Sequence, residues 1–168
     1  LYRCLVEKFG KLGEDWEVLK AEEQLYVPIT EFTAAEKNFK GFIDLVVYSK
    51  KDEKVHLIDW KTCSWGWDSR KKNDKIITYQ LTLYKHYFCQ KMNTDPKDVE
   101  THFALLKRTA SKNRVEFFRV TSGPKKTENA LKLLNTALYN IQNKRYIKNK
   151  LSCTGGYGCK FYNTEHCP

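Results

Sequence analysis

Several features are missing from this chain of 168 residues, and each absence excludes something. No apolar run approaches the roughly 20 residues needed to cross a bilayer. No charged segment followed by an apolar one opens the chain, which begins Leu1-Tyr2-Arg3-Cys4. Without such a leader an intracellular, cytoplasmic setting is expected. An initiating methionine is also absent, which reads as a piece of a longer protein. There is no internal repeat and no low-complexity segment. The basic residues do not gather on one amphipathic helix with a bulky apolar face, which counts against a membrane-surface role.

What is present points to a globular domain. Hydrophobic residues make up 41% and aromatic residues 14%, enough to build a core and too many for a disordered chain. At this length one domain with a real core is expected. Thirty Lys and Arg face twenty Asp and Glu, a formal net charge of +10. The excess is spread over Arg70-Lys71-Lys72, Lys107-Arg108, Lys125-Lys126 and the run from Lys144 to Lys150. Such a surface suits a polyanion, with nucleic acid ahead of an anionic membrane. The six cysteines are Cys4, Cys63, Cys89, Cys153, Cys159 and Cys167. In an intracellular chain they read as thiols or metal ligands rather than a disulfide framework.

The hydrophobic pattern predicts helix, three strands, helix, two strands, helix. Residues 1–15 read as the tail of a helix ending near Gly10 or Gly13. Val18 to Ile29 reads as a strand, with Leu19, Ala21, Glu23, Leu25, Val27 and Ile29 on one face. Glu23 is the polar member of that face, a candidate inward carboxylate. Gly41–Tyr48 and Val55–Thr62 read as a hairpin joined by the polar segment Ser49–Lys54. Cys63 to Asp74 reads as a loop, and Lys75 to Lys91 as a helix by its apolar spacing. His102–Lys107 and Val115–Val120 read as strands. A helix from about Lys126 to Tyr146 carries Leu131, Leu134, Leu138 and Ile141 as its buried stripe. The expected fold is therefore α/β (α+β), a central mixed sheet flanked by helices. Residues 1–150 form the core and 151–168 a cysteine-containing tail.

The chemistry gathers in the hairpin. Asp44 and Asp59 each sit in the middle of an apolar strand. Lys61 lies two residues after Asp59, hence on the same face. Two carboxylates and an ammonium brought together on a sheet are costly unless something binds there, and a divalent metal and a phosphate fit. Converging carboxylates repel and their pKa values rise, a cost that a bound dication reverses. Gln80 and Tyr84 are four apart, on one helix face. Trp65 and Trp67 follow the strand beside Arg70, Lys71 and Lys72. Aromatics interleaved with basic residues can stack bases and neutralise phosphates of a single strand, and at least one Trp is expected to reach substrate.

In their order and spacing, Gly41-x-x-Asp44, Ile58-Asp59-Trp60-Lys61-Thr62 and Gln80-Leu81-Thr82-Leu83-Tyr84 resemble the PD-(D/E)XK nuclease superfamily. Within it they are most similar to the RecB-type branch. The resemblance implies a restriction-endonuclease-like core, with Mg²⁺ or Mn²⁺ held by Asp44, Asp59 and the backbone carbonyl of Trp60. Glu23 would be the upstream acid completing that site, with Glu22 the alternative if the strand register is off by one. It implies that Lys61 steadies the attacking water and the developing charge, and that Gln80 and Tyr84 orient Lys61 or hold phosphate. One departure is that the first helix offers only Glu7 where such enzymes often carry a His or Glu. The histidines (His56, His86, His102, His166) lie elsewhere.

The resemblance also implies a [4Fe–4S] cluster on Cys4, Cys153, Cys159 and Cys167, one cysteine before the core and three after it. Zinc on the same cysteines, with His166, and free thiols are the alternatives. The implied activity is a metal-dependent exonuclease on DNA ends, in recombination, repair or phage DNA metabolism. A recombinase, helicase or single-strand-binding protein is the implied partner class. The alternatives are a binding module of the same fold and a structure-selective endonuclease. The Lys- and Asn-rich composition points to a low-GC genome such as a phage.

Overall fold

The computed structural model describes residues 2–32, 37–146, 151–154 and 158–165. The elements follow in the expected order: α1 (Tyr2–Phe9), β1 (Trp16–Pro28), β2 (Asn38–Ser49) and β3 (Lys54–Cys63). Then come α2 (Ser69–Lys72), α3 (Lys75–Met92), a 3-10 turn (Pro96–Asp98), β4 (Val99–Lys107), β5 (Val115–Val120), α4 (Pro124–Gln142) and α5 (Leu151–Thr154). The five strands form one mixed sheet in the order β1-β2-β3-β4-β5. β1, β2 and β3 pair antiparallel, β3 and β4 parallel, and β4 and β5 antiparallel. The parallel step needs a long crossover, and α2 and α3 supply it.

Alternation along β3 sends Leu57, Asp59 and Lys61 to one face and His56, Ile58 and Trp60 to the other. α3 covers the first face. Its Tyr87 and Phe88 pack with Leu25, Ile43, Val46 and Leu57, and its Leu81 with Trp67, Phe103 and Leu105. α1 covers the opposite face, with Leu5 and Phe9 against Trp16, Val47, Ile58 and Ala104. α3 has firm ends. Asp74 accepts from the Ile76 N–H at 2.8 Å, and Asn93 closes the helix in the left-handed conformation at φ 51°.

Three details differ from the pattern read in the sequence. β1 starts at Trp16, whose buried indole donates to the Gly10 carbonyl at 2.8 Å. Trp16 packs on the α1 side of the sheet, while Leu19, expected on the face of Leu25, is exposed at a register shift between Val18 and Lys20. The expected loop after β3 contains α2, capped by the Asp68 carboxylate on the Lys71 N–H at 2.7 Å. On α4, Leu131 and Leu134 pack on the core, whereas Ile141 is 67% exposed.

The chain divides into two compact units, Leu1–Leu134 and Asn135–Pro168. The first holds the whole sheet. In the second, the Cys159 N–H donates to the Cys153 carbonyl at 2.9 Å, closing a turn between α5 and the tail. Cys167 and His166 lie outside the described residues.

Candidate active site

The site forms where the sheet opens. β2 and β3 pair from Ser49↔Lys54 to Leu45↔Ile58 and then part. β2 stays with β1 as far as Asn38, and β3 stays with β4 as far as Cys63. Asp44 and Asp59 are the first residues beyond the last pair. The Trp60 N–H that an intact ladder would use is instead taken by Asp44 Oδ2 at 2.7 Å. A strand residue turns its N–H and C=O to the same edge, so the Trp60 carbonyl borders the same opening.

Asp59 is the buried centre of the group, 3% exposed. Gln80 Nε2 donates to Asp59 Oδ1 at 3.0 Å and to the Tyr84 hydroxyl at 3.2 Å. Lys61 Nζ lies 2.7 Å from Asp59 Oδ2, yet it is not aligned to donate. That oxygen therefore has an ion-pair neighbour and no hydrogen bond. Burial pushes the Asp59 carboxyl above its usual value of 3.8; Lys61 opposes the rise and the Asp44 charge adds to it. Gly41 makes room for this arrangement. A β-carbon there would lie 2.7 Å from Tyr84 Cε1.

These residues fit a hard divalent cation. Two carboxylates and a backbone carbonyl border one opening, and a buried carboxylate oxygen there lacks a hydrogen bond. The acids of β1 are placed differently. Glu23 is buried but ion-paired to Lys91 Nζ at 2.5 Å, eleven residues beyond Gln80 on α3. Glu22 lies between the pairs Ala21↔Leu45 and Glu23↔Ile43, hence opposite Asp44, with a left-handed backbone at φ 52°.

The family model described as the PD-(D/E)XK nuclease superfamily matches residues 4–167. The chain belongs to this superfamily. The mixed five-stranded sheet with its flanking helices is consistent with the restriction-endonuclease-like fold of PD-(D/E)XK nucleases. The crystal structure of SSO0001 has a similar fold, with a TM-score of 0.51 at 12% identity, over 92% of this chain and 60% of that one. The chain thus spans about 60% of the length of that neighbour. No curated protein matches the sequence.

In this member of the PD-(D/E)XK superfamily the basic loop after β3 divides into engaged and presented side chains. Trp67 is buried against Phe103, with ring centroids 5.2 Å apart, and Lys71 Nζ sits 4.8 Å from its ring. Lys72 is held by Glu116 at 2.5 Å. Trp65 is 78% exposed, and Arg70 is exposed as well.

A second group of ligand-type side chains, His56, Glu100 and His102, lies on the sheet face opposite Asp59. It could hold a metal; several of its atoms are already partnered in a chain, while His102 Nδ1 is buried without a hydrogen-bond partner. Asp52 lies 3.4 Å from His56 Nε2, and His56 Nδ1 lies 3.0 Å from His102 Nε2. Glu100 is bound by Arg119 at 2.8 Å and Lys54 at 3.2 Å. Burial lowers both imidazoles, that of His102 to about 3. The sequence did carry a sign of this group: each histidine sits within an apolar strand, as the two acids do.

Proposed function

We propose that the chain is a Mg²⁺- or Mn²⁺-dependent exodeoxyribonuclease of the RecB-type branch, acting inside the cell on DNA ends. The observation that carries this reading is the opening between β2 and β3. There Asp44 and Asp59 meet Lys61, and Asp59 Oδ2 lacks a hydrogen bond. Asp44, Asp59 and the Trp60 carbonyl would hold the cation. The bound metal supplies Lewis acidity at the scissile phosphate.

The protein's own groups then divide the work. Asp59, ionised, keeps the Lys61 ammonium at the mouth of the site, where its side chain is 32% exposed. Lys61 orients the attacking water and takes up charge growing on the phosphate oxygens. The water oxygen bonds to phosphorus, the phosphorus–oxygen ester bond breaks, and the water's proton ends on the leaving oxygen. Gln80 fixes the Asp59 carboxylate and is itself fixed by Tyr84. Trp65, Arg70 and Lys71 contact the strand, Trp65 by stacking.

The preference for ends rests on the motif resemblance. A recombinase, helicase or single-strand-binding protein is the partner class proposed with it. The cysteine set is proposed to hold a [4Fe–4S] cluster, supported by the shared turn of Cys153 and Cys159. Iron and acid-labile sulfide assays on anaerobically purified protein check this.

The deciding experiment incubates the protein with linear and covalently closed DNA in Mg²⁺, Mn²⁺ or EDTA, beside Lys61→Ala. Metal-dependent loss of linear DNA alone, absent in the variant, is the expected result. Cleavage of the closed circle points to an endonuclease. Binding without cleavage in any metal points to a docking module.

A further inference from the structure

A groove of about 460 Å³ lies on the α3 face of the sheet, between the first turns of α3, the end of β5 and the start of α4. Its walls include Lys72, Lys75, Lys125 and Lys126, and among the described residues no acid lines it. Lys72 is tied to Glu116, and Lys125 to the exposed Glu128 at 2.8 Å, an exposed pair of small worth. Lys126 donates to the Thr121 carbonyl at 3.1 Å, and Lys75 is exposed. The first turn of α4 contains no acid, so its positive dipole end adds to the same field. Tyr79 and Phe118 bring aromatic rings to the groove.

The groove lies close to the chemistry. Lys75 precedes Gln80 by five residues on α3, about 1.4 helical turns, and Gln80 binds Asp59. We infer that this groove is a subsite for the backbone and bases of a single-stranded polynucleotide whose neighbouring phosphate reaches Asp59 and Lys61. Charge selects a polyanion. Size selects the single strand: the cavity is on the scale of a small-molecule pocket, and a duplex keeps its bases paired inside. The aromatic lining serves unpaired bases, which expose their faces for stacking. The inference deepens the nuclease reading and rests on it for the polarity of the strand toward the site.

The test measures binding of a short fluorescent oligodeoxynucleotide, as single strand, as duplex and as the RNA equivalent, in EDTA over a range of salt. Wild type is compared with Lys75→Glu/Lys125→Glu and with Tyr79→Ala. Both lysines are exposed, and a Glu at the start of α4 suits the helix dipole, so the double variant is expected to fold. It should lose single-strand affinity, and its slope of log K against log salt should fall by about 1.4, at about 0.7 per phosphate. Tyr79→Ala should weaken the single strand about tenfold and leave the duplex unchanged. Photocrosslinking of a bromodeoxyuridine strand to wild type should map to the peptide carrying Tyr79. RNA affected in the same way supports the same subsite.

Unchanged single-strand affinity and salt slope in the double variant, with crosslinks elsewhere, overturns the subsite. Failure of the nuclease reading looks different: no metal supports cleavage, while the groove variants still lose single-strand affinity.

Discussion

Gly41 and Tyr84 are fitted to each other: a β-carbon on Gly41 would stand 2.7 Å from Tyr84 Cε1. Tyr84 in turn accepts one N–H of Gln80, whose other N–H holds Asp59. Gly41→Ala is therefore expected to push the ring away, at a cost of about 1–3 kcal/mol, and to lower cleavage through the loosened Gln80. Urea unfolding of Gly41→Ala, Tyr84→Ala and the double variant checks this. The double variant should cost less than the sum of the singles, because truncating the ring removes the clash.

Asp59 is buried where its charge is costly, a sign that function rather than stability placed it. Asp59→Asn should abolish metal-dependent cleavage and raise stability by about 0.5–2 kcal/mol at neutral pH without metal. Urea unfolding in EDTA, beside a cleavage assay, measures both.

The pH dependence separates this carboxyl from the histidines. Folding raises the Asp59 pKa above 3.8, so the folded state holds its proton more tightly. Its contribution is most favourable below 3.8 and is lost as pH rises through the raised folded value. The gain from Asp59→Asn should thus be absent at the lowest pH and grow over that window. The imidazoles act in the opposite direction. Their folded pKa values lie below 6.5, that of His102 at about 3. Stability should fall as pH drops from 6.5 toward 3, and His102→Gln should flatten that limb.

Metal binding should be readable as stability. Saturating Mg²⁺ or Mn²⁺, at about 100 times Kd, should stabilise wild type by about 2.7 kcal/mol. Asp44→Ala and Asp59→Asn should show no such gain. Thermal melts with and without EDTA check it.

The two acids of β1 can be told apart in the same assay. Glu23→Gln should cost about 1 kcal/mol by weakening the ion pair to Lys91, with the metal-dependent gain retained. Glu22→Gln, opposite Asp44 in the sheet register, should leave apo stability unchanged and reduce the metal-dependent gain.

Much of this was legible before folding because alternation and helical spacing are local. Asp59 and Lys61 share a face in any strand, and Gln80 and Tyr84 share a face in any helix. The element order followed from the same periodicities. Other assignments depended on neighbours that a strand cannot announce. Leu19 faces solvent because it sits at a register shift between Val18 and Lys20. Trp65 and Trp67 look alike in the sequence, yet Phe103 buries one and leaves the other exposed.

The sequence by itself determined which residues could do the chemistry: paired strand acids, a lysine two positions on, a glutamine and a tyrosine one turn apart. Only the tertiary structure decided where they meet. Asp44 and Asp59 face one opening because β2 and β3 separate just past Leu45 and Ile58. Glu23 is drawn to Lys91 because α3 ends over β1. Alternation alone puts His56 on the far face, but its meeting with Glu100 and His102 depends on the parallel register of β3 and β4, which no local pattern encodes.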